Sequence, residues 1–228
     1  MLDFQLVPTS AITLPALLNA KKQVWPHENC DPDFISSAVN SASHHSAVIL
    51  ESGLVAAFVD GFLTHSKEGK PRWEVDLLGT LPQYRGQGLA RRLIEDNLRA
   101  GWQRGAVFAR ALIQVSNTAS QRAFTNCGFS QTEQALRLWV CAHPVHNQAR
   151  LPENQCLIPV ETFNYQGVWL EGELDLDGLR AARAWLPHRE RQICGVLIPS
   201  EREDLLAAAS AEDYLEVGEY QWWDYHWS

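Results

Sequence analysis

The chain has 228 residues, 46% of them hydrophobic and 20% charged, with nine tryptophans. That composition is too apolar and too aromatic for a disordered polypeptide, and the length suits one large domain or a medium domain with a smaller appendage. A formal net charge of −8 argues against the broad basic field that nucleic-acid and anionic-membrane binders use.

The segment Met1-Leu2-Asp3-Phe4-Gln5 lacks a basic n-region, and no apolar run approaches membrane-spanning length, so a cytoplasmic protein is expected. Its five cysteines are scattered without a CxxC pair and are expected to be reduced. His143 and His146 have HxxH spacing, but Pro144 opposes the helix that would align them and no third ligand stands nearby. No metal is therefore expected.

In chain order, Phe4 to Val7 reads as a short strand. Ala11 to Val24 has a mostly helical apolar spacing with Pro15 near the first turn, and Asp33 to Val39 forms a second helix. Ala47 to Glu51 and Leu54 to Leu63, with Ser52-Gly53 between them, read as a hairpin, and Arg72 to Thr80 as the next strand. After Gly88 the period changes. Ala90, Leu93, Ile94, Leu98 and Trp102 mark an amphipathic helix that Gly105 can close. A strand from Val107 to Val115, a short helix from Thr118 to Asn126 and a strand from Leu136 to Cys141 complete an α+β pattern of helices on a mixed sheet.

Ala142 to Gln155 is polar and broken by Pro144 and Pro152, which reads as a linker at about 146–155. Beyond it, 156–228 reads as a small β-α-β-α-β appendage of α/β type. Its strands are Gly167 to Leu170, Ile193 to Ile198 and Tyr220 to Trp227. Its helices are Asp177 to Leu186, ended by Pro187, and one opened by a capping box of Ser200 and Glu203. No internal repeat is visible in the sequence. Alternation puts Trp223, Tyr225 and Trp227 on one face of the last strand, with Trp222 opposite, a strip suited to a core or to a homodimer contact.

The most informative stretch is Leu78-Gly79-Thr80-Leu81-Pro82-Gln83-Tyr84-Arg85-Gly86-Gln87-Gly88-Leu89-Ala90. A strand ends, a proline turns the chain, and two glycines open a helix whose unpaired N–H groups and positive dipole end can cradle a diphosphate. Glycines at a C-cap or in close packing would give a similar string. A second stretch, Asn117-Thr118-Ala119-Ser120-Gln121-Arg122-Ala123-Phe124-Thr125-Asn126-Cys127-Gly128-Phe129, has an Asn at a strand end, a short helix and Gly-Phe. Gln83 to Gly88 matches the Q/R-x-x-G-x-G/A signature of the GNAT superfamily of N-acetyltransferases. The second stretch is similar to that family's second signature, and the two occur in the family's order. The resemblance covers residues 1–145 and does not reach the appendage.

The resemblance implies a mixed, mostly antiparallel sheet flanked by helices, with the strand of Leu78 splayed from the strand ending near Val115 so that a pantetheine arm enters between them. It implies acetyl-CoA as co-substrate. The backbone of Leu78, Gly79 and Thr80 would bond pantetheine, and one amide there would stabilise an oxyanion. The amides of Gly86, Gln87, Gly88, Leu89 and Ala90 would hold the diphosphate, with charge from Arg85. Asn117 would touch the pantetheine or an ordered water, or else serve as a strand-end turn residue, and Phe124 would line the arm.

The acceptor would be a primary amine of a small molecule or peptide, attacking directly in a ternary complex. An amine nucleophile must lose a proton. Alternation puts Glu74 and Asp76 on one face of their strand with Arg72 and Leu78, which makes both carboxylates candidate bases, or salt-bridge partners of Arg72. Many family members have Tyr as proton donor where this chain has Phe124. That departure motivates the alternative of a non-catalytic acyl-CoA-binding sensor or interaction module.

Overall fold

The computed structural model describes residues 3–28, 31–143, 149–186 and 192–227. Cys30, His146 and Pro187, and the sequence readings that use them, lie outside these ranges. The elements are β1 (Phe4–Pro8), α1 (Leu14–Val24), α2 (Pro32–Asn40), β2 (His44–Glu51), β3 (Leu54–His65), β4 (Pro71–Thr80), α3 (Leu89–Gln103), β5 (Phe108–Gln114), α4 (Thr118–Thr125), β6 (Ser130–Gln131) and β7 (Leu136–Cys141). They continue with β8 (Gln155–Glu161), β9 (Gln166–Gly172), α5 (Leu176–Ala184), β10 (Gln192–Pro199), α6 (Glu203–Ala211) and β11 (Leu215–Tyr225).

The expected mixed, mostly antiparallel sheet flanked by helices is present, and it is continuous from one end of the described chain to the other. Its order is β1-β2-β3-β4-β5-β11-β7-β10-β9-β8, with β6 against β11. Only β4–β5 and β9–β10 run parallel, each joined by a helix, α3 or α5, as a parallel crossover requires. Residues after 155 thus continue the sheet, and β11 enters between β5 and β7. β8 begins at Gln155, at the end of the segment that reads as linker.

Strand alternation, shifted by a bulge at Ala56, divides the core. Ala57 and Val59 of β3 pack with Leu93, Ile94 and Leu98 of α3, whereas Val55 and Phe58 pack with Leu17 of α1 and Ile35 of α2. The close fit of α3 on the sheet depends on Gly101, where an added Cβ would stand 2.5 Å from Trp73 Cγ. Trp73 is anchored in turn by its Nε1–H, which donates to Asn97 Oδ1 at 2.6 Å. A third core forms where α5 and α6 cover β7, β9 and β10, with Leu179, Ala182, Leu205 and Ala209 on Val168, Leu170, Val196 and Ile198.

The aromatic strip of β11 divides as alternation predicts. Trp223, Tyr225 and Trp227 join the α3 core, and Trp222 lies on the other face. The capping box is different. α6 begins at Glu203 after Arg202, with no side-chain cap, and the Ser200 hydroxyl lies 3.5 Å from Glu219 Oε1 instead. Asp175, by contrast, caps α5 by accepting from the Gly178 N–H at 2.8 Å.

Candidate active site

β4 and β5 pair only over Arg72–Glu74 and Phe108–Arg110. Beyond Glu74 they part. β4 remains paired to β3 as far as Thr80, and β5 is paired along its other edge to β11 from Ala109 to Gln114. The edge of β4 that carries Leu78, Gly79 and Thr80 toward β5 therefore has no strand partner. Its main-chain groups are available to an extended ligand.

A β-bulge shapes this edge. Val59 pairs with Leu78 and Gly61 with Val75, so Asp76 and Leu77 together oppose Asp60. The extra residue corrects the strict alternation expected from sequence. Trp73 and Val75 pack toward α3, but past the bulge it is Leu78 that packs there, and Leu77 joins the α1–α2 core. Leu78 does not share a face with Glu74 and Asp76.

At the open end of the gap the chain turns through Arg85-Gly86-Gln87-Gly88 into α3. Gly86 and Gly88 have φ of 76° and 74°, left-handed values that favour glycine, and nothing lies within 4 Å of where their Cβ atoms would be. Among the described residues none accepts from the amides of Gly86 to Ala90. With the positive end of α3 behind them, these amides and the open strand edge fit a diphosphate and the chain attached to it. The Arg85 guanidinium lies beside them, its Nε 3.3 Å from the Thr80 carbonyl. No first-turn carboxylate competes for this position.

Two further site candidates are placed as follows. Asn117 caps α4, its Oδ1 accepting from Ser120 N at 3.1 Å, which is the turn role. Phe124 is only 2% exposed and packs edge-on to Phe129 with ring centroids 4.9 Å apart. Its ring belongs to the core beneath α4, where helical spacing turns that position inward.

On the α1–α2 face of the sheet, the gap opens into a cavity of about 930 Å³ walled by β4, β5, β7, β9, β10 and β11. Glu74 and Asp76 both line it, in opposite conditions. Glu74 is buried and fully engaged. It accepts from Thr64 Oγ1 at 2.6 Å, Arg72 Nε at 2.8 Å and Arg110 Nε at 2.8 Å. Glu171 of β9 completes a square, taking Arg72 Nη1 and Nη2 at 2.8 and 2.6 Å and Arg110 Nη2 at 2.7 Å.

Burial works to raise the Glu171 carboxyl, but the Arg110 charge and the Arg72 hydrogen bonds outweigh it and hold its pKa below the usual range. Arg110 also lies with its guanidinium carbon 3.8 Å from the Trp222 ring centroid. The square joins β4 and β5 to β9 across the cavity. Glu171→Ala leaves two buried guanidiniums with one carboxylate, and the urea midpoint is expected to fall by the equivalent of about 2–3 kcal/mol, toward the lower end for a broken buried pair because Glu171 is partly exposed.

Asp76 has no hydrogen-bond partner among the described residues. Its side chain is exposed and opens onto the cavity. Desolvation first, then the neighbouring Asp60 carboxylate, push its pKa up to about 7, with Glu74 adding to the rise and Lys21 and His44 opposing it. A carboxyl titrating near neutrality and facing a cavity is poised to take or give a proton. Tyr165 stands across the same cavity, its hydroxyl accepting from Trp169 Nε1 at 2.8 Å, and burial raises its pKa so that the phenol stays protonated.

Arg110 and Glu171 are absent from the sequence reading, and Trp222 enters it only as the residue opposite the aromatic strip. Arg110 left a trace as a charge in an otherwise apolar strand, but Glu171 lies beyond the segment read as a linker, and no local pattern links it to Arg110. Among the described residues no cluster of three or more His, Cys, Asp or Glu could hold a metal, and no helix is long and apolar enough to cross a membrane.

Comparison with known proteins agrees with this geometry. The family model described as "Acetyltransferase (GNAT) family" matches residues 14–129, just over half of the chain. An aminoglycoside N(6')-acetyltransferase type 1 of Salmonella typhimurium is 25% identical over 122 residues, covering 51% of this chain and 84% of the relative. A solved aminoglycoside N-acetyltransferase of the AAC(6')-Iy type, in complex with CoA, superposes with a TM-score of 0.50 at 22% identity, over 59% of this chain and 91% of its own.

A tandem GNAT protein from the clavulanic acid biosynthesis pathway covers 98% of both chains with a TM-score of 0.61 at 10% identity, so the fold it shares includes the C-terminal elements. The motif around Gly86 and Gly88, the parted strands and the family match converge: this chain belongs to the acetyltransferase (GNAT) family.

Proposed function

We propose that the protein transfers an acetyl group from acetyl-CoA to a primary amine of a small molecule held in the cavity, by direct attack in a ternary complex. The observation that carries this reading is a free amide cradle at Gly86–Ala90 and an unpaired β4 edge leading to a carboxyl whose pKa is raised to about 7. Acetyl-CoA supplies the reactive thioester. The loop and the start of α3 hold the diphosphate, aided by Arg85. Leu78, Gly79 and Thr80 present main-chain groups to the pantetheine.

Asp76 is the base. It takes the proton from the acceptor ammonium and so frees the nitrogen lone pair. Glu74 is saturated by two arginines and a threonine and serves to fix the floor of the cavity rather than to move protons. The departing thiolate needs no side-chain acid, because a thiol pKa of ~8.5 makes it a fair leaving group. Phe124 in the place of a tyrosine is compatible with turnover on that ground.

The acceptor class follows from the relatives' names, and aminoglycosides are the first amines to offer. The test has two arms. Acetyl-CoA at about a hundredfold over its Kd is expected to stabilise the fold by about 2.7 kcal/mol in a thermal melt. Free thiol should then appear above buffer with at least one amine of a panel of aminoglycosides, polyamines, amino acids and peptides. Stabilisation without thiol release would mark a sensor that binds the cofactor and transfers nothing.

A further inference from the structure

The last strands of the two halves of the sheet are exchanged. β7, from the first half, lies beside β10, and β11, from the second, lies beside β5. The β7–β10 ladder is therefore a seam between segments far apart in the chain, and at its end Cys141 stands directly opposite Cys194. Opposed residues of an antiparallel pair have Cα atoms about 4.5–5.5 Å apart, inside the range that a disulfide spans. Both are free thiols in the same core under α5 and α6, 1% and 0% exposed, and they hydrogen-bond each other.

The surroundings differ from those of inert core cysteines. Cys194 is held in place by Tyr214, whose hydroxyl accepts from Cys194 Sγ at 3.3 Å and donates to the Leu179 carbonyl at 2.9 Å. Arg183 of α5 is buried nearby. Its Nη1 and Nη2 donate to Glu212 and Asp213 at 3.2 and 3.1 Å, but its Nε–H has no partner among the described residues. The Arg183 charge favours a thiolate at either cysteine. The hydrogen bond between the two thiols sets them apart: it holds Cys141 below the ordinary thiol range and Cys194 above it, while burial works to raise both. Cys127 and Cys156 are more exposed, yet burial pushes both upward. The thiol poised to react is thus in the more buried pair. That pair ends its ladder, where strands open locally more readily than in the middle of a sheet.

We propose that Cys141 and Cys194 form a modification site, a dithiol that a hydroperoxide converts into a cross-strand disulfide. The Cys141 thiolate attacks one peroxide oxygen, the O–O bond breaks, and hydroxide or alkoxide leaves, so that Cys141 becomes a sulfenic acid. The Cys194 sulfur then displaces the sulfenic hydroxyl, and its proton leaves with that hydroxyl as water. The two sulfurs give up two electrons, which the peroxide takes. A dithiol reductant reverses the change by exchange. The bond closes a loop over residues 141–194 and ties a strand of the first half to a strand of the second, which restricts the unfolded chain. None of this depends on the acetyl-transfer reading.

The test treats the folded full chain with a few equivalents of hydrogen peroxide at neutral pH, alkylates the remaining thiols and maps the peptides by mass. The expected product joins Cys141 to Cys194, leaves Cys127 and Cys156 alkylated, and forms at least about tenfold faster than any oxidation at Cys127. Its Tm should exceed that of the reduced chain and return on treatment with dithiothreitol. In Cys194→Ala, dimedone should trap a sulfenic acid at Cys141; if that variant does not fold, the peptide map of the unaltered protein decides. Oxidation first at Cys127 or Cys156 overturns the proposal, as does a bond from either cysteine of the pair to another residue. A pair that reacts only after denaturant has unfolded the chain also overturns it. An oxidised chain that melts below the reduced one does the same, because the opposed strands would then not accommodate the bond.

Discussion

Asp76→Asn is expected to lower kcat by about 10²–10³-fold while acetyl-CoA binding is retained, because it removes the proton acceptor and leaves the cradle and the strand edge untouched. In the unaltered protein kcat/KM for the amine should rise with pH through an inflection near the Asp76 pKa of about 7, and the substitution should abolish that inflection. Stability is expected to move the other way. The folded-state pKa of Asp76 lies above its unfolded value, so the native state binds more protons and loses stability as pH rises from the ordinary aspartate range through about 7. Asp76→Asn should therefore raise Tm at pH 8 and make little difference at pH 4. A variant that lost activity and stability together would place Asp76 in the structural framework instead. A base held in a desolvating site at the expense of the fold is a common exchange of stability for activity.

A chain ending at residue 155 is expected not to fold, although it contains the whole stretch matched by the family model. It lacks β11, which occupies the position between β5 and β7 and pairs with both. Without it β5 presents a row of unpaired main-chain groups, and the α3 core loses Trp223 together with the Tyr225 and Trp227 rings packed on it. Arg72 and Arg110 lose Glu171 as well. The expected result is aggregation, or a thermal melt without a cooperative transition. A sharp transition and unchanged acetyl-CoA stabilisation in the shortened chain would show that the first half closes on its own.

Legibility in the sequence followed the range of the interactions. The helix of Leu89–Gln103 and the loop before it could be read because apolar spacing and glycine conformations are local. The parting of β4 and β5 came from the family resemblance rather than from any local signal. The bulge at Asp76 and Leu77 left none either, since it is defined by what stands opposite, and one extra residue there changed the face of Leu78. Asp76 and Glu74 read as equivalent because they share a strand. Arg110 and Glu171, one on β5 and the other on β9, made Glu74 a buried ion-pair member and left Asp76 without a partner.

The exchange of β7 and β11 also sets the order in which the molecule can assemble. Synthesis delivers β5 long before the strand that will lie against it, and β7 must pass over that place to reach β10. The nascent first half therefore carries an open sheet edge and a partly uncovered aromatic core until translation has passed residue 225. The pairing that closes the sheet is therefore non-local, the kind that folds slowly and leaves an edge open to aggregation in the meantime.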